Sequence, residues 1–515
     1  MGCGGTRAWH GLSGAAMLGM MLAAGCTIQV GGGQGGAGGE PATGSGGAAV
    51  CVPGSQLSCY SGLPGTEGVG LCTAGAQTCL PDGSGYGPCT GEVTSSAEDC
   101  ATDADEDCDG TGQCSPPLWS VALGGDGPAS ASAVAADAAG NLYVTGWFEG
   151  TVDFGAGPLV SARRNDVFLL KLDPSGHAIW SRRFGTMNPG EAGTSIALDA
   201  SGNIFLGGSY GVDIGLAPPQ PPIDFGGGPL PWDDASWLAA FLVKLDPDGN
   251  HLFSRGHLFG DELSITVQDL AVGEAGTSAV MVVHSGFFDI GYDVMTYDAA
   301  GGYMWGFSRR TFSSEAPTGR VAMDSAGNVL VAMGRGDGQE SCPCDYYFHV
   351  EKRDPEGTVL WLKLLSGPSE PDFSGDGGQA KDVAVDPDDN VLVAGRSLGN
   401  FDLGGGPIPA GTNFVVKMSP LGDYLWHREV PGDAVVADSA GNVIVLGGGA
   451  LVKLDASGAA LWRRTFTDTI WASRKLTTYH DGHLALVGSF EGTVDFGAGP
   501  LTAAGRDGFV TVFPP

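Results

Sequence analysis

The sequence predicts an all-β chain built as a seven-bladed β-propeller, because two kinds of β-hairpin alternate along most of its length. The first kind, as in "VAADAAGNLYVTG" (134–146), is an alternating run ending in Asp, a tight turn and a second β-rich run. It recurs seven times. The second kind, as in "FLLKLDPSGHAIW" (168–180), recurs six times in full, and "FVTVF" (509–513) begins a seventh. Asp, Gly and Asn suit the turns, and Val, Ile, Leu and Phe suit the strands, so two hairpins predict one four-stranded antiparallel blade.

The two ends of the repeat region predict how the ring closes. The last unit stops after "FVTVFPP" and lacks the tryptophan-bearing fourth strand that the other units carry. The chain before the first unit supplies a spare strand, "LWSVAL" (118–123). We therefore expect this strand to complete the last blade of a propeller over residues 118–515, which removes an open sheet edge. A linear solenoid is the alternative, but it needs neither the missing strand nor the spare one.

The repeated residues resemble the bacterial β-propeller repeat of the SBBP type, which is recognised by "GNxYVTG" and "DxFVxKLDPSG". The likeness covers most of residues 118–515 and implies a propeller in the envelope or on the cell surface, with no uniform activity. The tryptophan hairpins also look like the docking motif of quinoproteins. Those enzymes typically use a vicinal disulfide, whereas Pro343 separates Cys342 from Cys344 here. A redox pair or soft-metal site at these cysteines is the alternative to structural disulfides, which an exported protein favours.

Residues 1–25 are typical of a secretory signal, with Arg7 followed by an apolar run too short to cross a bilayer. Small residues precede Cys26, and this arrangement resembles a bacterial lipobox, which implies acylation of Cys26 and export as a lipoprotein. By the same resemblance, Thr27 favours the outer membrane. The alternative is an ordinary secreted protein. Residues 26–50 are rich in glycine, cannot bury a core and predict a flexible tether.

Residues 51–117 predict a small disulfide-rich module. Eight of the twelve cysteines fall in this segment, at Cys51, Cys59, Cys72, Cys79, Cys89, Cys100, Cys108 and Cys114. An even number of cysteines in a short exported segment predicts four disulfide bonds, but spacing alone leaves the pairing open. Zinc is the alternative, and the segment has neither a CxxC pair nor a histidine to bind it.

Alternating acidic residues close this module in front of a glycine. They are Asp103, Asp105, Asp107 and Asp109. Oxygen ligands at this spacing predict a calcium site, although Pro116 stands where an EF-hand loop has its final Glu. The stretch also looks like the "ExC…DNDCDG" metal-binding motif of bacterial surface proteins. A solvated acidic turn is the alternative, and Ca²⁺ is the only cofactor that the sequence suggests.

One connector sequence, "FEGTVDFGAGPL", occurs twice, at 148–159 and 490–501. It lies between the second and third strands of its blade, on the propeller face that most often binds ligands. It and its relatives in other blades each carry one aspartate: Asp153, Asp224, Asp289, Asp402 and Asp495. These carboxylates can bind cations or sugar hydroxyls, but the preferred interpretation is a copied joint in which each caps its own turn. A specific site is expected instead in the variable fourth-to-first connections, such as 184–194 and 365–382.

Composition and motifs restrict the function. The formal net charge is −33, and no Lys or Arg lies between Arg7 and Arg163, so nucleic-acid binding is not expected. The chain has no HExxH motif and no P-loop. We expect a lipid-anchored, non-enzymatic surface propeller that binds glycan, peptide or another envelope protein. The alternative is an enzyme, either a polysaccharide hydrolase or lyase or a quinoprotein-like dehydrogenase.

Replacing the predicted lipid attachment residue tests the anchor. The variant Cys26→Ser should leave the membrane fraction and lose the mass of its acyl chains, because the lipid supplies the membrane affinity. Cell fractionation and intact-mass spectrometry measure both effects. The variant Cys3→Ser, inside the predicted signal, should change neither. An unchanged mass and distribution for Cys26→Ser would show that the lipobox prediction is wrong.

Overall fold

The computed structural model describes residues 50–100, 102, 104–108, 110, 114–211, 221–232, 238–257, 262–286, 290–311, 318–334, 349–364, 378–397, 401–466, 470–479 and 482–515. Within these ranges the regular structure is entirely β-strand, and nearly all strands pair antiparallel. No described segment forms a helix with the length and apolar character that crossing a membrane requires. The prediction of an all-β chain is confirmed. The predicted signal and Cys26 lie outside the described residues.

The cysteine-rich module holds three short strands: β1 (Gln56–Cys59), β2 (Gly75–Thr78) and β3 (Glu98–Asp99). Its cysteines form four disulfides: Cys51–Cys79, Cys59–Cys89, Cys72–Cys108 and Cys100–Cys114. The predicted disulfide framework is therefore confirmed, with a pairing that the sequence left open. Cys72, Cys79 and Cys108 are the buried apolar side chains described in this module, so disulfides replace a hydrophobic core. The four disulfides indicate an extracellular or periplasmic compartment.

In the described part of the chain, the strands that follow fall into seven consecutive sets of four, called units 1 to 7, and units 1 to 6 each contain the two predicted hairpins. Units 2 and 3 share one eight-stranded sheet, and β3 adds a fifth strand to unit 6. Unit 1 contains β5 (Ala129–Ala136), β6 (Leu142–Phe148), β9 (Asp166–Leu172) and β10 (Ala178–Phe184). Unit 2 contains β11 (Ala192–Leu198), β12 (Ile204–Gly211), β13 (Leu238–Leu245) and β14 (His251–His257). Unit 3 contains β15 (Glu262–Val272), β16 (Ser278–Gly286), β17 (Ile290–Tyr297) and β18 (Tyr303–Thr311).

The remaining units repeat this order. Unit 4 contains β19 (Thr318–Met323), β20 (Val329–Gly334), β21 (His349–Arg353) and β22 (Val359–Leu364). Unit 5 contains β23 (Gly378–Val385), β24 (Val391–Ser397), β27 (Asn413–Met418) and β28 (Tyr424–Arg428). Unit 6 contains β29 (Ala434–Ala437), β30 (Val443–Gly447), β31 (Ala450–Leu454) and β32 (Ala460–Thr465).

Unit 7 joins the two ends of the repeat region. It contains β33 (Ile470–Tyr479), β34 (His483–Asp495), β35 (Pro500–Phe513) and β4 (Trp119–Leu123). Strand β4 pairs antiparallel with β35, from Trp119 opposite Val512 to Leu123 opposite Gly508. Short ribbons occupy the second-to-third connections of units 1 and 5: β7 (Thr151–Asp153) with β8 (Pro158–Val160), and β25 (Phe401–Asp402) with β26 (Pro407–Ile408).

Aspartate side chains build the hairpin turns. In the first hairpin of unit 1, Asp137 Oδ1 accepts hydrogen bonds from the amides of Ala139 and Asn141 at 3.0 and 2.9 Å. Asn141 Nδ2 also donates to Asp137 Oδ2 at 2.8 Å. The same pattern recurs at Asp199, Asp324, Asp386 and Asp438. Because these hydrogen bonds are local in sequence, the spacing of Asp and Asn predicts these five hairpins.

A repeated polar contact, which we call the lysine–tryptophan lock, joins one unit to the next. In unit 5, Lys417 Nζ and Trp426 Nε1 both donate to the carbonyl of Ala456 in unit 6, at 3.2 and 3.1 Å. Lys417 Nζ also lies 2.7 Å from Asp386 Oδ2 in its own unit, and both side chains are buried. In the preceding unit, Lys352 and Trp361 donate to Pro420 in the same way. The lock explains why Lys and Trp recur in the second hairpin.

Removing the lysine of one lock should destabilise the protein through the aspartate left behind. Burial raises the pKa of Asp386, but hydrogen bonds from Lys417 and Asn390 outweigh it and lower the pKa below its usual value. We expect Lys417→Met to cost about 3 to 5 kcal/mol at neutral pH, since it leaves a buried charge unpaired. The double variant Lys417→Met/Asp386→Asn should cost less, because no charge remains.

Thermal unfolding of the full chain measures both effects. Arg164→Met removes a positive charge at an exposed position and should change the melting temperature little. A double variant as destabilised as the single one would show that the lysine acts through packing rather than through its charge.

Candidate functional site

One position of the repeat differs in chemistry from unit to unit. It lies on the first strand, four residues before the residue that opens the hairpin turn. Its occupants in units 1 to 7 are Ala133, Ser195, Asp269, Arg320, Asp382, Ala434 and Lys475. Three units carry a small residue and four carry a charged one. A structural joint is copied between units, whereas a differentiated position of this kind is typical of a binding or catalytic site.

The four charged residues meet in one cluster, which we call the central cluster. Lys475 Nζ lies 3.6 Å from Asp269 Oδ1 and 3.6 Å from Asp382 Oδ1. Arg320 Nε lies 3.9 Å from Asp382 Oδ1. Because both carboxylate oxygens lie at the same distance from one nitrogen, at most twice 3.6 Å separates them. Two carboxylates and two cations from four different units therefore lie side by side.

Backbone hydrogen bonds orient both carboxylates. Asp269 Oδ2 accepts from the amide of Val321 at 3.1 Å, and Asp382 Oδ2 accepts from the amide of Val435 at 2.9 Å. Both donors belong to the next unit along the chain. A register shift precedes Asp269, Asp382 and Lys475 in their strand pairings, and bulges of this kind redirect the side chains beside them. One oxygen of each carboxylate is thus held by a neighbouring unit, and the other faces Lys475.

The environment of Asp382 favours its protonated form. Burial is the largest influence and raises its pKa. Lys475 opposes this effect, the carboxylate of Asp269 adds to it, and Arg320 opposes it, with a net pKa above the usual range. Asp382 is 7% exposed. Such a carboxyl keeps its proton to a higher pH than an ordinary aspartate, which is the property that a general acid requires.

Small residues occupy the position equivalent to Lys475 in three other units. The units joined to unit 7 carry Ala434 and Ala133 at the equivalent position, and unit 2 carries Ser195. The side chain of Lys475 is 24% exposed, so solvent reaches the central cluster. The buried Oγ of Ser195 has no hydrogen-bond partner among the described residues.

A second buried acid lies in the connection between units 1 and 2, one of the variable connections in which a specific site was predicted. Glu191 is fully buried; its Oε2 accepts from the amide of Thr186 at 2.7 Å and its Oε1 from the hydroxyl of Thr186 at 2.8 Å. Burial raises the pKa of Glu191 to about 7, although the hydrogen bonds from Thr186 lower it. Both oxygens are engaged within the connection, so Glu191 organises this loop. Residues 365–377 of the other connection lie outside the described part.

The connector aspartates cap their own turns. Asp153 Oδ1 accepts from the amides of Gly155 and Gly157 at 2.8 and 3.1 Å. The same two hydrogen bonds form at Asp224, Asp402 and Asp495. Gly155 and Gly157 have φ angles of 100° and 104°, which only glycine adopts readily, so the turn itself requires the G-x-G pattern. These are the contacts of a copied joint, and a ligand role for the four aspartates stays a prediction. Asp289 lies outside the described residues.

Two of the predicted calcium ligands lie in the described part of the chain. Asp105 and Asp107 approach Glu98, which the prediction did not include, and one ligand atom of each lies within 4.8 Å of the other two. Asp103 and Asp109 lie outside the described residues, as do Cys342 and Cys344 of the predicted redox or disulfide pair. The structure thus brings the central part of the acidic motif to a carboxylate of strand β3.

A serine motif in unit 2 has a structural role. "GGSYG" (207–211) has the G-x-S-x-G spacing of serine hydrolases. Ser209, however, lies inside strand β12, is buried, and donates its hydroxyl proton to the carbonyl of Gly190 at 3.0 Å. The nucleophile of that motif needs an exposed turn between a strand and a helix, so Ser209 is not a nucleophile.

Sequence reasoning missed the central cluster, because it searched the loops and not the first strands. A usable signal was present. When the first hairpins are aligned on their turns, the residue four places before the turn is charged in units 3, 4, 5 and 7 only. That difference between otherwise similar repeats marks the position, but not the distances across the fold.

Comparisons with known proteins extend these observations. No family model and no curated protein matches the chain. Among solved structures, it is similar to the polysaccharide lyase Uly1, with 11% identity, a TM-score of 0.44, and coverage of 74% of this chain and 89% of that one. It is also similar to a GH93 α-L-arabinofuranosidase of Fusarium graminearum (11% identity, TM-score 0.37, coverage 62% and 91%) and to the gluconolactonase XC5397 of Xanthomonas campestris (11%, 0.28, 76% and 97%).

These neighbours are β-propeller-type enzymes, and the expectation of a non-enzymatic binding scaffold is therefore wrong. At these identities and TM-scores the likeness goes no further, and it assigns neither a substrate nor catalytic residues to this chain. Those assignments depend on the geometry of the chain itself.

The raised pKa of Glu191 predicts a pH-dependent stability. The folded protein keeps this proton up to about pH 7, whereas the unfolded chain releases it near the ordinary value of 4.5. Folding therefore binds a proton between these values, and the contribution of Glu191 to stability falls as the pH rises from about 4.5 to 7, by up to about 3 kcal/mol.

We expect Glu191→Gln to flatten this fall, because glutamine does not titrate. Asp166 and Arg183, the charged groups that act on Glu191, remain in this variant. Melting temperatures at pH 5 and pH 8 measure the effect. Glu356→Gln, at an exposed position, should leave the pH profile as it is in the natural protein. Equal profiles for Glu191→Gln and the natural protein would mean that Glu191 is ionised when folded.

Proposed function

We propose that the protein is an exported glycoside hydrolase that cleaves a neutral polysaccharide at the centre of a closed seven-bladed propeller. The observation that carries the proposal is the carboxylate pair Asp269 and Asp382. Both acids contact Lys475, and their facing oxygens are separated by no more than twice 3.6 Å. The raised pKa of Asp382 suits this residue to the role of the acid.

The contacts between units support the closed ring. The first strand of every unit contacts the first strand of the next one, and β33 of unit 7 contacts β5 of unit 1. Seven apolar clusters fill the spaces between successive units, and one of them packs Val487 and Val510 of unit 7 against Leu142 of unit 1. Trp119 of β4 donates its Nε1 proton to the carbonyl of Pro174 in unit 1 at 2.9 Å. In this arrangement the first strands surround a central channel.

The carboxylate pair supplies the chemistry of glycosidic bond cleavage. Asp382 holds a proton and gives it to the oxygen of the leaving sugar as the bond to the anomeric carbon breaks. Asp269 acts as the second carboxylate, either by activating water or by attacking the anomeric carbon. Retaining enzymes separate the two carboxyls by about 5 to 5.5 Å and inverting enzymes by about 6.5 to 9.5 Å, and the upper bound here admits both.

The cations of the cluster have a supporting role. Lys475 contacts both carboxylates, and Arg320 contacts Asp382. Lysine and arginine also offer donors to sugar hydroxyls. A lyase would act on a polyuronate, and a chain with a net charge of −33 repels polyanions at long range. Hydrolysis of a neutral glycan fits this charge better.

The disulfides and the N-terminal motif support an exported location. Four disulfides indicate an oxidising compartment outside the cytoplasm, where polysaccharides are accessible. The proposed lipid on Cys26 and the glycine-rich tether of residues 26–50 would hold the enzyme at the outer membrane. The module of residues 51–117 would separate the tether from the propeller.

Substitution of the proposed acid tests the function. Asp382→Asn should lower the rate of hydrolysis at least about 100-fold on a neutral polysaccharide that the natural protein cleaves, because it removes the acid proton. Asp269→Asn should have an effect of similar size. Reducing-end assays on a panel of neutral and uronate-containing polysaccharides measure these rates. In the natural protein, activity should decline as the pH rises through the raised pKa of Asp382, since the acid is then ionised.

Asp153→Asn is a matched control, because Asp153 Oδ1 accepts only turn hydrogen bonds that an amide oxygen can also accept. It should retain the full rate, and melting temperatures should verify that all variants are folded. Full activity in Asp382→Asn would contradict the proposal. So would a natural protein that cleaves only uronate-containing polysaccharides and releases unsaturated products, because this is the activity of a lyase.

A further inference from the structure

The acidic end of the cysteine-rich module lies where the module meets the propeller. Strand β3 extends the sheet of unit 6: it pairs parallel with β32, with Glu98 opposite Trp462 and Asp99 opposite Arg463. The amide of Cys100 continues this pairing and donates to the carbonyl of Arg463 at 3.0 Å. The module is therefore attached to unit 6 by the same strand that carries Glu98.

Three carboxylates converge beside this strand. One oxygen of each of Glu98, Asp105 and Asp107 lies within 4.8 Å of the other two. Calcium binds oxygen ligands at about 2.3 to 2.6 Å, so two ligands of one ion are at most about 5 Å apart. The three oxygens are thus close enough to bind a single calcium ion without a large rearrangement.

Glu98 points independently to a cation. Its side chain is 5% exposed, and its Oε2 accepts from the amides of Glu106 and Asp107 at 3.0 and 3.2 Å. Its Oε1 is buried and has no hydrogen-bond partner among the described residues. Burying a carboxylate oxygen without a partner is costly, and a bound cation removes that cost. Glu98 therefore contributes a buried oxygen that lacks a hydrogen-bond partner among the described residues, which a bound cation would satisfy.

A cavity beside the cluster leaves room for water ligands. Its volume is about 200 Å³, and Glu98, Asp107 and Cys114 line it on the side of the module. Trp462 and Phe513 line it on the side of units 6 and 7. Calcium takes six to eight oxygen ligands. The three carboxylates supply some of them, and waters in this cavity can supply the others.

We propose that Glu98, Asp105 and Asp107 bind one Ca²⁺ ion and that this ion holds the cysteine-rich module against unit 6 of the propeller. The ligands are all oxygens with several negative charges, which a hard cation prefers. Glu98 belongs to the strand that pairs with unit 6, whereas Asp105 and Asp107 belong to the loop of the module. An ion shared between them ties the loop to the docked strand. This proposal is independent of the hydrolase activity.

Calcium titration of the full mature protein tests the site. After chelation, isothermal titration with CaCl₂ should show one bound Ca²⁺ per chain, with affinity lowered at least tenfold in Glu98→Gln and in Asp107→Asn. Glu67→Gln, at an exposed position of the same module, should bind as the natural protein does. Asp382→Asn should also bind normally, which separates this proposal from the hydrolase. Binding that survives in both Glu98→Gln and Asp107→Asn would refute the site.

Hydrogen exchange of the natural protein tests the docking role without any substitution. Calcium should slow amide exchange at Cys100 and along β32 at least tenfold relative to protein in excess chelator, because the ion stabilises the strand pairing. Magnesium at the same concentration should have a smaller effect, since it requires a smaller and more regular site. Equal exchange with and without calcium would overturn the docking role.

Discussion

The rest of the structure depends on the buried lysine of the lysine–tryptophan lock. In units 4 and 5 its ammonium group contacts an aspartate of its own unit and donates to a backbone carbonyl of the next unit. A buried ammonium group is stable only when its charge and its donors are both satisfied. The lysine therefore joins the first hairpin, the second hairpin and the following unit at once. Tryptophan donates to the same carbonyl and covers the contact.

This repeated contact keeps each unit that contains it in the same position relative to the following unit. Because the hairpin turns and the contacts between units set the positions of the units, a residue on the first strand can change without altering the fold. One such position varies in this way. It is charged in four units, as Asp269, Arg320, Asp382 and Lys475, and it is Ala133 or Ala434 in two others. Opposite charges from units distant in the chain then meet, and burial alters the acidity of Asp382. A repeating scaffold thus produces a single, non-repeating site.

The connectors behave in the opposite way. Asp153 and its counterparts direct one carboxylate oxygen at the amides of their own turns, and the glycines that follow have the positive φ angles the turn requires. These requirements are local, so the same residues meet them in the four described copies. The two identical dodecamers at 148–159 and 490–501 therefore reflect the geometry of a turn. Differences between repeats are a better guide to the site than identities.

The sequence by itself determined the features that depend on neighbouring residues. The hairpins follow from aspartates that bond amides two and four residues away, and the strand at 118–123 was recognisable as the missing partner of the last unit. The number of disulfides could be predicted from the number of cysteines. Their pairing joins cysteines between 14 and 36 residues apart, so it could be assigned only from the tertiary structure. Only the tertiary structure brought Lys475 to Asp269, and Glu98 to Asp107 beside unit 6. Spacing along a chain determines local hydrogen bonds, whereas distances between residues of different units depend on how all the units pack.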